Sequence, residues 1–167
     1  AITGTVELDQ IAQILTQDGF LSVENYANYI LVLVGFVFMF AAIGFKLSLF
    51  PYHTWVPDVY QGSTSAMAGF LSVVPKMAGF VVALRFFEIF MQVNDVIIQT
   101  MLYVTVVLTI TIPNLIALQQ KDIKRMLAYS SISHAGVMMA AVVVLSDMGV
   151  KSIVFYGVTY VFMSLVA

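Results

Sequence analysis

Long apolar runs separated by short polar stretches make up most of the 167-residue chain. A helix needs about 20 apolar residues to cross a bilayer, and several runs reach that length. A transmembrane β-strand would instead show about 10 residues of alternating hydrophobicity, a pattern that these runs lack. The pattern therefore predicts an all-α polytopic membrane protein, a helix bundle with about five spans.

The polar stretches divide the chain into consecutive segments. Residues 1–28 carry acidic side chains and no basic one, and we expect the end of a preceding helix followed by an outer loop. The predicted spans are a broken transmembrane helix at 29–60, transmembrane helices at 63–91, 95–118 and 122–145, and a truncated helix at 149–167. Because the sequence stops inside an apolar run, we interpret it as a fragment of a longer protein.

The composition supports a membrane location and excludes several kinds of site. Only 10% of the residues are charged, whereas a soluble domain has about 25%. The net charge of −2 gives no reason to expect a nucleic-acid partner. The absence of cysteine excludes disulfides and cysteine-ligated zinc or iron–sulfur clusters in this chain. We therefore predict no metal site, and the lipid bilayer is the first expected partner.

Basic residues indicate the orientation of the spans. Lys121, Lys124 and Arg125 cluster in the short polar stretch "QQKDIKR". Loops that carry such clusters stay on the cytoplasmic side. Alternation along the chain then places residues 58–62 on the same side and residues 1–28 on the opposite side.

Lys76 is the clearest candidate for a functional charge inside the membrane. It lies 14 residues after Gly62 and 15 before Met91, in an otherwise apolar run. That position is about 20 Å from either end of a helix, too far for the side chain to reach the interface. Ionisable groups at such depth usually serve transport. The alternative is a structural lysine that pairs with a neighbouring helix.

The stretch "GFKLSLFPYHTWVPDVYQG" predicts a helix that breaks inside the membrane. Pro51 and Pro57 cannot donate backbone hydrogen bonds, and Lys46 lies in the turn before the first of them. The C-terminal end of a broken helix carries partial negative charge, which a nearby cation stabilises. Its exposed backbone must also line protein or water instead of lipid. Such breaks recur beside ion paths. The alternative is an interface lysine that extends to the headgroups. His53 is a candidate for proton relay or for capping exposed backbone.

His134 is a further candidate, because it lies within the fourth span in the serine-rich stretch "SSISHAG". Histidine exchanges protons near neutral pH. A hydrogen bond between helices is the equally open alternative. The candidates for functional ionisable residues inside the membrane are therefore Lys46, Lys76 and His134. The sequence contains no phosphate-binding glycine motif and indicates no catalytic or cofactor-binding residue.

Two runs are specific enough to indicate a family. The first is "FKLSLFPYHTWVPDVYQG", and Lys76 follows its lysine, Lys46, by 30 residues. The second is "NLIALQQKDIKRMLAYSSISHAG". Together they resemble the antiporter-like membrane subunits of respiratory complex I, the proton-translocating NADH–quinone oxidoreductase, over nearly the whole chain.

The resemblance implies roles for the two lysines. Lys46 corresponds to the lysine of the family's broken seventh helix, and Lys76 to the connecting lysine of the eighth. The chain would run from the end of helix six into helix eleven. In the family, a glutamate on helix five pairs with the first lysine, and the axis continues to a lysine on helix twelve. The implied activity is proton translocation within an enzyme complex, without redox chemistry in this chain.

The resemblance also implies partners, cofactors and location. The expected partners are other membrane subunits of complex I, the lipid bilayer and protons. NADH, flavin, iron–sulfur clusters and quinone are implied for the whole complex and not for this chain. The expected location is a bacterial inner membrane, with an organelle inner membrane as the alternative. A cation/proton antiporter subunit, a membrane-hydrogenase-type subunit and a purely structural membrane subunit stay open as other functions.

Overall fold

The fold is entirely helical in the residues that the structure, a computed structural model, describes: 4–17, 26–92, 95–144 and 146–166. The helices are α1 (Leu8–Thr16), α2 (Tyr26–Leu47), α3 (Trp55–Gly62), α4 (Ser65–Gln92), α5 (Val96–Ala117), α6 (Ile123–Val144) and α7 (Asp147–Val166). The prediction of an all-α bundle with a broken helix is confirmed.

Within the described ranges, four helices are long and apolar enough to cross a membrane, namely α2, α4, α5 and α6. A shorter apolar stretch, Met148–Ser164, lies in α7. Helices satisfy their backbone hydrogen bonds internally, which is why apolar runs of this length form them in lipid. In the polar first segment the structure shows α1, whereas Asp18 and Glu24 of the expected loop lie outside the described residues.

Helices α4 and α6 lie at the centre of the arrangement. Helix α4 packs against α1, α2, α3, α5 and α7, and α6 packs against α3, α4, α5 and α7. A cluster of phenylalanine rings joins α2 to α4: Phe36, Phe40, Phe86, Phe87 and Phe90. This packing holds α2 against α4, one of the two central helices.

The break after α2 begins with a left-handed cap. Ser48 has φ +64°, its N–H donates to the Phe45 carbonyl (3.2 Å), and the Leu49 N–H donates to the Gly44 carbonyl (2.8 Å). These two bonds form the Schellman motif, which satisfies carbonyls at a helix C-terminus. Glycine usually takes the left-handed position, so serine there is strained.

The rest of the break is anchored to α5. The Phe50 N–H donates to Thr109 Oγ1 (3.0 Å), whose hydroxyl donates to the Thr105 carbonyl (2.6 Å). Helix α3 starts at Trp55, and Pro57 lies in its first turn, where a missing N–H costs nothing. The interruption between the helices therefore covers residues 48–54.

Helices α5 and α6 cross closely at Gly136. A Cβ at this position would lie 2.9 Å from Ile110 Cγ1 and 3.1 Å from the Ile110 backbone nitrogen. Small residues at crossings let membrane helices approach closely, and backbone cannot move aside easily. The Ser133 hydroxyl, one turn before Gly136, donates to the Ile110 carbonyl (3.4 Å) across the same interface.

We expect Ser48→Gly to stabilise the full-length protein by up to about 1 kcal/mol, because it relieves the left-handed strain and removes a buried hydroxyl without a described partner. Ser48→Val should destabilise it. Ser48→Ala removes the hydroxyl and keeps the Cβ, so it separates the two effects. Thermal unfolding in detergent measures all three variants, and Ser48→Gly no more stable than Ser48→Ala would contradict a strained cap.

We expect Gly136→Leu to destabilise the full-length protein by about 1–3 kcal/mol or prevent its assembly, because the new side chain forces α5 and α6 apart. Gly35→Leu is the matched control, since a Cβ at Gly35 meets nothing within 4 Å. Thermal unfolding and the yield of assembled complex report the effect. Equal stability of the two variants would show that the crossing tolerates bulk.

Candidate functional site

Lys76 is a buried cation in the middle of α4, with only 2% of its surface exposed. Its Nζ donates to the Ser131 carbonyl oxygen (2.9 Å) and to the Ser131 hydroxyl oxygen (3.0 Å) on α6. The Ser131 hydroxyl in turn donates to the Ala128 carbonyl (2.8 Å). The bond to Ala128 uses the hydroxyl proton of Ser131 and leaves the oxygen lone pairs for the lysine.

No counter-ion accompanies Lys76 in the part of the chain that the structure describes. Its described partners are neutral oxygens, and the ion pair found there joins Arg125 to Asp58 instead. A charged ammonium is costly to bury without an anion. A lysine in this environment is a candidate for a group that exchanges its proton during function.

Further hydroxyl groups surround this lysine. The Tyr160 hydroxyl donates to the Ser72 carbonyl (3.4 Å), one turn before Lys76 on α4. Tyr60 of α3 and Tyr160 of α7 both bring their hydroxyls near the Ser131 side chain. Four helices therefore contribute polar groups to one place inside an otherwise apolar bundle.

His134 lies one turn beyond Ser131 on α6 and is half-buried. Its Nδ1 is 2.6 Å from the Tyr156 hydroxyl on α7, and its ring lies 5.4 Å from the ring of Tyr160. This contact fits the interhelical hydrogen bond that was one of the two interpretations of His134. It also leaves the other ring nitrogen available for proton exchange, so both interpretations stay open.

A cavity of about 340 Å³ lies among α3, α4, α6 and α7. Ile123 and Lys124 line it at the start of α6, and Ser131 and His134 line it further along the same helix. The 11 residues from Ile123 to His134 correspond to about 16 Å of helix. The other serines in its wall are Ser65, Ser72, Ser130 and Ser164. These serines, with Lys124 and His134, supply hydrogen-bonding groups in a wall that is otherwise largely apolar, and a space of this size can hold several water molecules beside them.

Polar contacts hold α3 against α6 at the Lys124 end of the cavity. Arg125 Nη1 donates to Asp58 Oδ1 (2.6 Å) and to Gln61 Oε1 (2.9 Å), and Lys124 Nζ donates to the Ser63 carbonyl (2.8 Å). The Asp58 side chain is 73% exposed, so the ion pair adds little stability. Together, the contacts fix the end of α3 against the start of α6.

Lys46 lies in the last turn of α2 and is exposed. It forms no hydrogen bond or ion pair with the residues that the structure describes. Its stem lies against α4, because Lys46 Cγ is 3.4 Å from the position of a Cβ on Gly79. Gly79 follows Lys76 by one helical turn, so the stem of Lys46 lies against α4 one turn beyond Lys76.

Two buried polar atoms of the break, Ser48 Oγ and His53 Nδ1, have no partner among the described residues, and neither does Trp55 Nε1 at the start of α3. His53 is 6% exposed, and its ring stacks on Phe50 at 5.5 Å. Pro51 is an exposed residue of the break, whereas Pro57 belongs to α3. His53 is close to Lys46 in sequence but does not line the cavity beside Ser131.

The structure therefore brings together two of the residues predicted from the sequence, Lys76 and His134. Lys76 bonds Ser131, and Ser131 and His134 line the same cavity. Sequence reasoning noted Ser131 only as a neighbour of His134 and missed Tyr160 altogether. The spacing of three residues from Ser131 to His134, which places both on one helix face, was the available signal for the serine. Tyr160 gave no signal, because its role depends on how α7 packs.

Comparison with known proteins gives one family over the whole chain. Residues 1–167 match the family model described as NADH:quinone oxidoreductase/Mrp antiporter, transmembrane. A relative named NADH-quinone oxidoreductase subunit N from Sulfurimonas denitrificans is 49% identical over 165 residues, which are 99% of this chain and 32% of the relative. The subunit N from Helicobacter hepaticus is 48% identical over 97% of this chain and 32% of the relative.

A third relative, subunit N from Campylobacter hominis, is 56% identical over 69% of this chain. The chain thus spans about a third of the length of the first two relatives. The resemblance to antiporter-like subunits is confirmed, and these three relatives all carry the name subunit N. The chain belongs to the NADH:quinone oxidoreductase/Mrp antiporter transmembrane family.

Proposed function

We propose that the chain is the proton-conducting part of subunit N of an NADH–quinone oxidoreductase in a bacterial inner membrane. The relatives carry that name and come from bacteria. Protons cross through Lys76, which is buried, and Lys46, and quinone reduction on other subunits drives the transfer. The chain thus serves an enzyme without redox chemistry of its own.

The observation that carries the proposal is the environment of Lys76. It is a buried lysine in a predicted membrane helix, held by two neutral oxygens of Ser131, and Ser131 lines the serine-rich cavity. A merely structural lysine would be expected to pair with a carboxylate, because an unpaired buried charge is costly. A lysine that gives up and regains its proton needs this combination of partial stabilisation and access to water.

The proposed route starts at the side of the membrane that holds the basic stretch before α6. Protons enter the cavity beside Lys124, pass along its serines and water to Ser131, and reach Lys76. From there, transfer continues towards Lys46, whose stem lies one turn further along α4. His134, bonded to Tyr156, is a side branch of the cavity that can hold or return a proton.

The proposed partners are the other membrane subunits of the complex and the lipid around them. NADH, flavin, iron–sulfur clusters and quinone would bind elsewhere in the complex. The chain has no cysteine to ligate a cluster, and the described residues contain no group of three or more metal-ligating side chains. No step of the proposed transfer in this chain passes through a cofactor.

A cation/proton antiporter subunit is the second candidate, because the matching family includes Mrp antiporters. Both candidates use the same cavity and lysines, and they differ in the energy source and in the counter-transported ion. Transport by the full-length protein that follows a sodium gradient without NADH oxidation would favour the antiporter. A purely structural role is separated from both by the variants below.

We expect Lys76→Met to abolish NADH-driven proton pumping while the complex still assembles, because methionine fills a similar volume but carries no exchangeable proton. Pumping in membrane vesicles, normalised to assembled complex, measures the effect. Lys151→Met is the matched control, since Lys151 is an exposed lysine of α7. Pumping by Lys76→Met at the rate of the unmodified complex would contradict the proposal and leave Lys76 as a structural residue.

We also expect Gly69→Leu to slow pumping several-fold, because the new side chain projects into the cavity and displaces water. Gly69 lines the cavity, and a Cβ there meets only the Ser164 carbonyl oxygen, at 4.0 Å, so the fold has room for the change. Gly35→Leu on α2 is the control for the substitution itself. If assembled complexes with the two variants pump equally fast, the cavity is not on the route.

A further inference from the structure

Both described acceptors of the Lys76 ammonium belong to a single residue. Nζ bonds the carbonyl oxygen and the hydroxyl oxygen of Ser131 at 2.9 and 3.0 Å, and the serine is only 5% exposed. The carbonyl is fixed by the helix, whatever the side chain. The hydroxyl is therefore the one contact of this lysine that depends on the amino acid at position 131.

The orientation of the Ser131 hydroxyl is set within α6, independently of the lysine. The hydroxyl donates a hydrogen bond to the Ala128 carbonyl oxygen at 2.8 Å, one turn earlier on α6. An oriented hydroxyl presents a lone pair at a fixed point, which is what an ammonium donor needs. Hydrogen bonds to a charged donor are roughly twice as strong as those between neutral groups.

Without this bond, the Lys76 side chain could adopt several conformations, whereas proton transfer requires Nζ at a defined position. The lysine ammonium is a compact point charge on a flexible four-carbon stem, so it can bond whichever acceptor lies within reach. Other hydroxyls are near, because Tyr60 and Tyr160 approach the same serine. A fixed acceptor at Ser131 selects one position of Nζ, next to a serine of the cavity wall.

We propose that Ser131 is a positioning residue for proton transfer through Lys76: its hydroxyl, which belongs to the wall of the serine-lined cavity, holds the ammonium beside that wall. This inference rests on the proposed function of Lys76 and adds a second residue to it. Ser131 acts through Lys76 and carries no net proton itself. The other serines of the cavity wall have no described bond to this ammonium, so the role belongs to one position.

Three replacements of Ser131 separate positioning from packing. Ser131→Ala removes the acceptor and some volume, Ser131→Cys restores the volume with a weak sulfur acceptor, and Ser131→Thr keeps the hydroxyl. Ser133→Ala and Ser133→Cys are the matched controls, because Ser133 is also buried on α6 but donates to Ile110 on α5. The measurement is NADH-driven proton pumping by the whole complex in vesicles, per assembled complex.

We expect Ser131→Ala and Ser131→Cys both to pump about tenfold more slowly, since each loses one hydrogen bond to a charged group. Ser131→Thr should pump within about twofold of the unmodified complex, and both Ser133 variants should be unaffected. A purely structural role predicts a different order, in which Ser131→Cys is rescued by its volume and Ser131→Thr is impaired by its extra methyl group.

The outcomes distinguish this inference from the proposed function. If Lys76→Met abolishes pumping but Ser131→Ala and Ser131→Cys pump normally, the lysine conducts protons and the positioning role is overturned. If Lys76→Met pumps normally, the proposed function itself fails. Should Ser131→Thr not assemble, the comparison of Ser131→Cys with Ser133→Cys still decides, because equal pumping rates would overturn the positioning role.

Discussion

The Lys76 ammonium, buried between α4 and α6 and held there by Ser131, constrains the bundle around it. A charge at this depth needs its acceptors at fixed positions, since losing them leaves it unpaired in an apolar interior. A shift of α6 by one residue would move the Ser131 carbonyl by about 1.5 Å and turn its hydroxyl through about 100°. The two central helices must therefore keep their register. The close crossing at Gly136, which fixes α6 against α5, serves the same requirement.

The helix break contributes to this site indirectly. Because α2 ends at Leu47 and the chain restarts at Trp55, the short helix α3 can turn towards α6 and bring Tyr60 to the cavity. Contacts from Arg125 and Lys124 then fix the far end of α3. The break also places Lys46 at a helix C-terminus, where exposed carbonyls favour a cation. One interruption in the chain thus supplies both a wall of the cavity and a position for the second lysine.

The sequence predicted the helical class, the break and the buried lysine, because each depends on local features: apolar run length, proline and a charge far from a helix end. It did not predict the left-handed cap at Ser48, since glycine is the usual signal for that conformation. Nor did it assign the partner of Lys76. The serines were visible in the sequence, but only the packing of α4 on α6 shows that Ser131 and not Ser133 faces the lysine. The role of Tyr160 depends on tertiary packing in the same way.

The central claim is that a water-accessible cavity joins one face of the membrane to Lys76, and the reactivity of a cysteine in its wall tests this claim most directly. Ser72 lines the cavity, whereas its neighbour Val73 is buried in the apolar core. The experiment compares Ser72→Cys with Val73→Cys in the assembled complex, using a small charged thiol reagent added to either face of oriented vesicles. The account predicts fast labelling of Ser72→Cys from the cytoplasmic face and slow labelling of Val73→Cys from both faces. Equal rates for the two variants, or labelling of Ser72→Cys only from the opposite face, would contradict it.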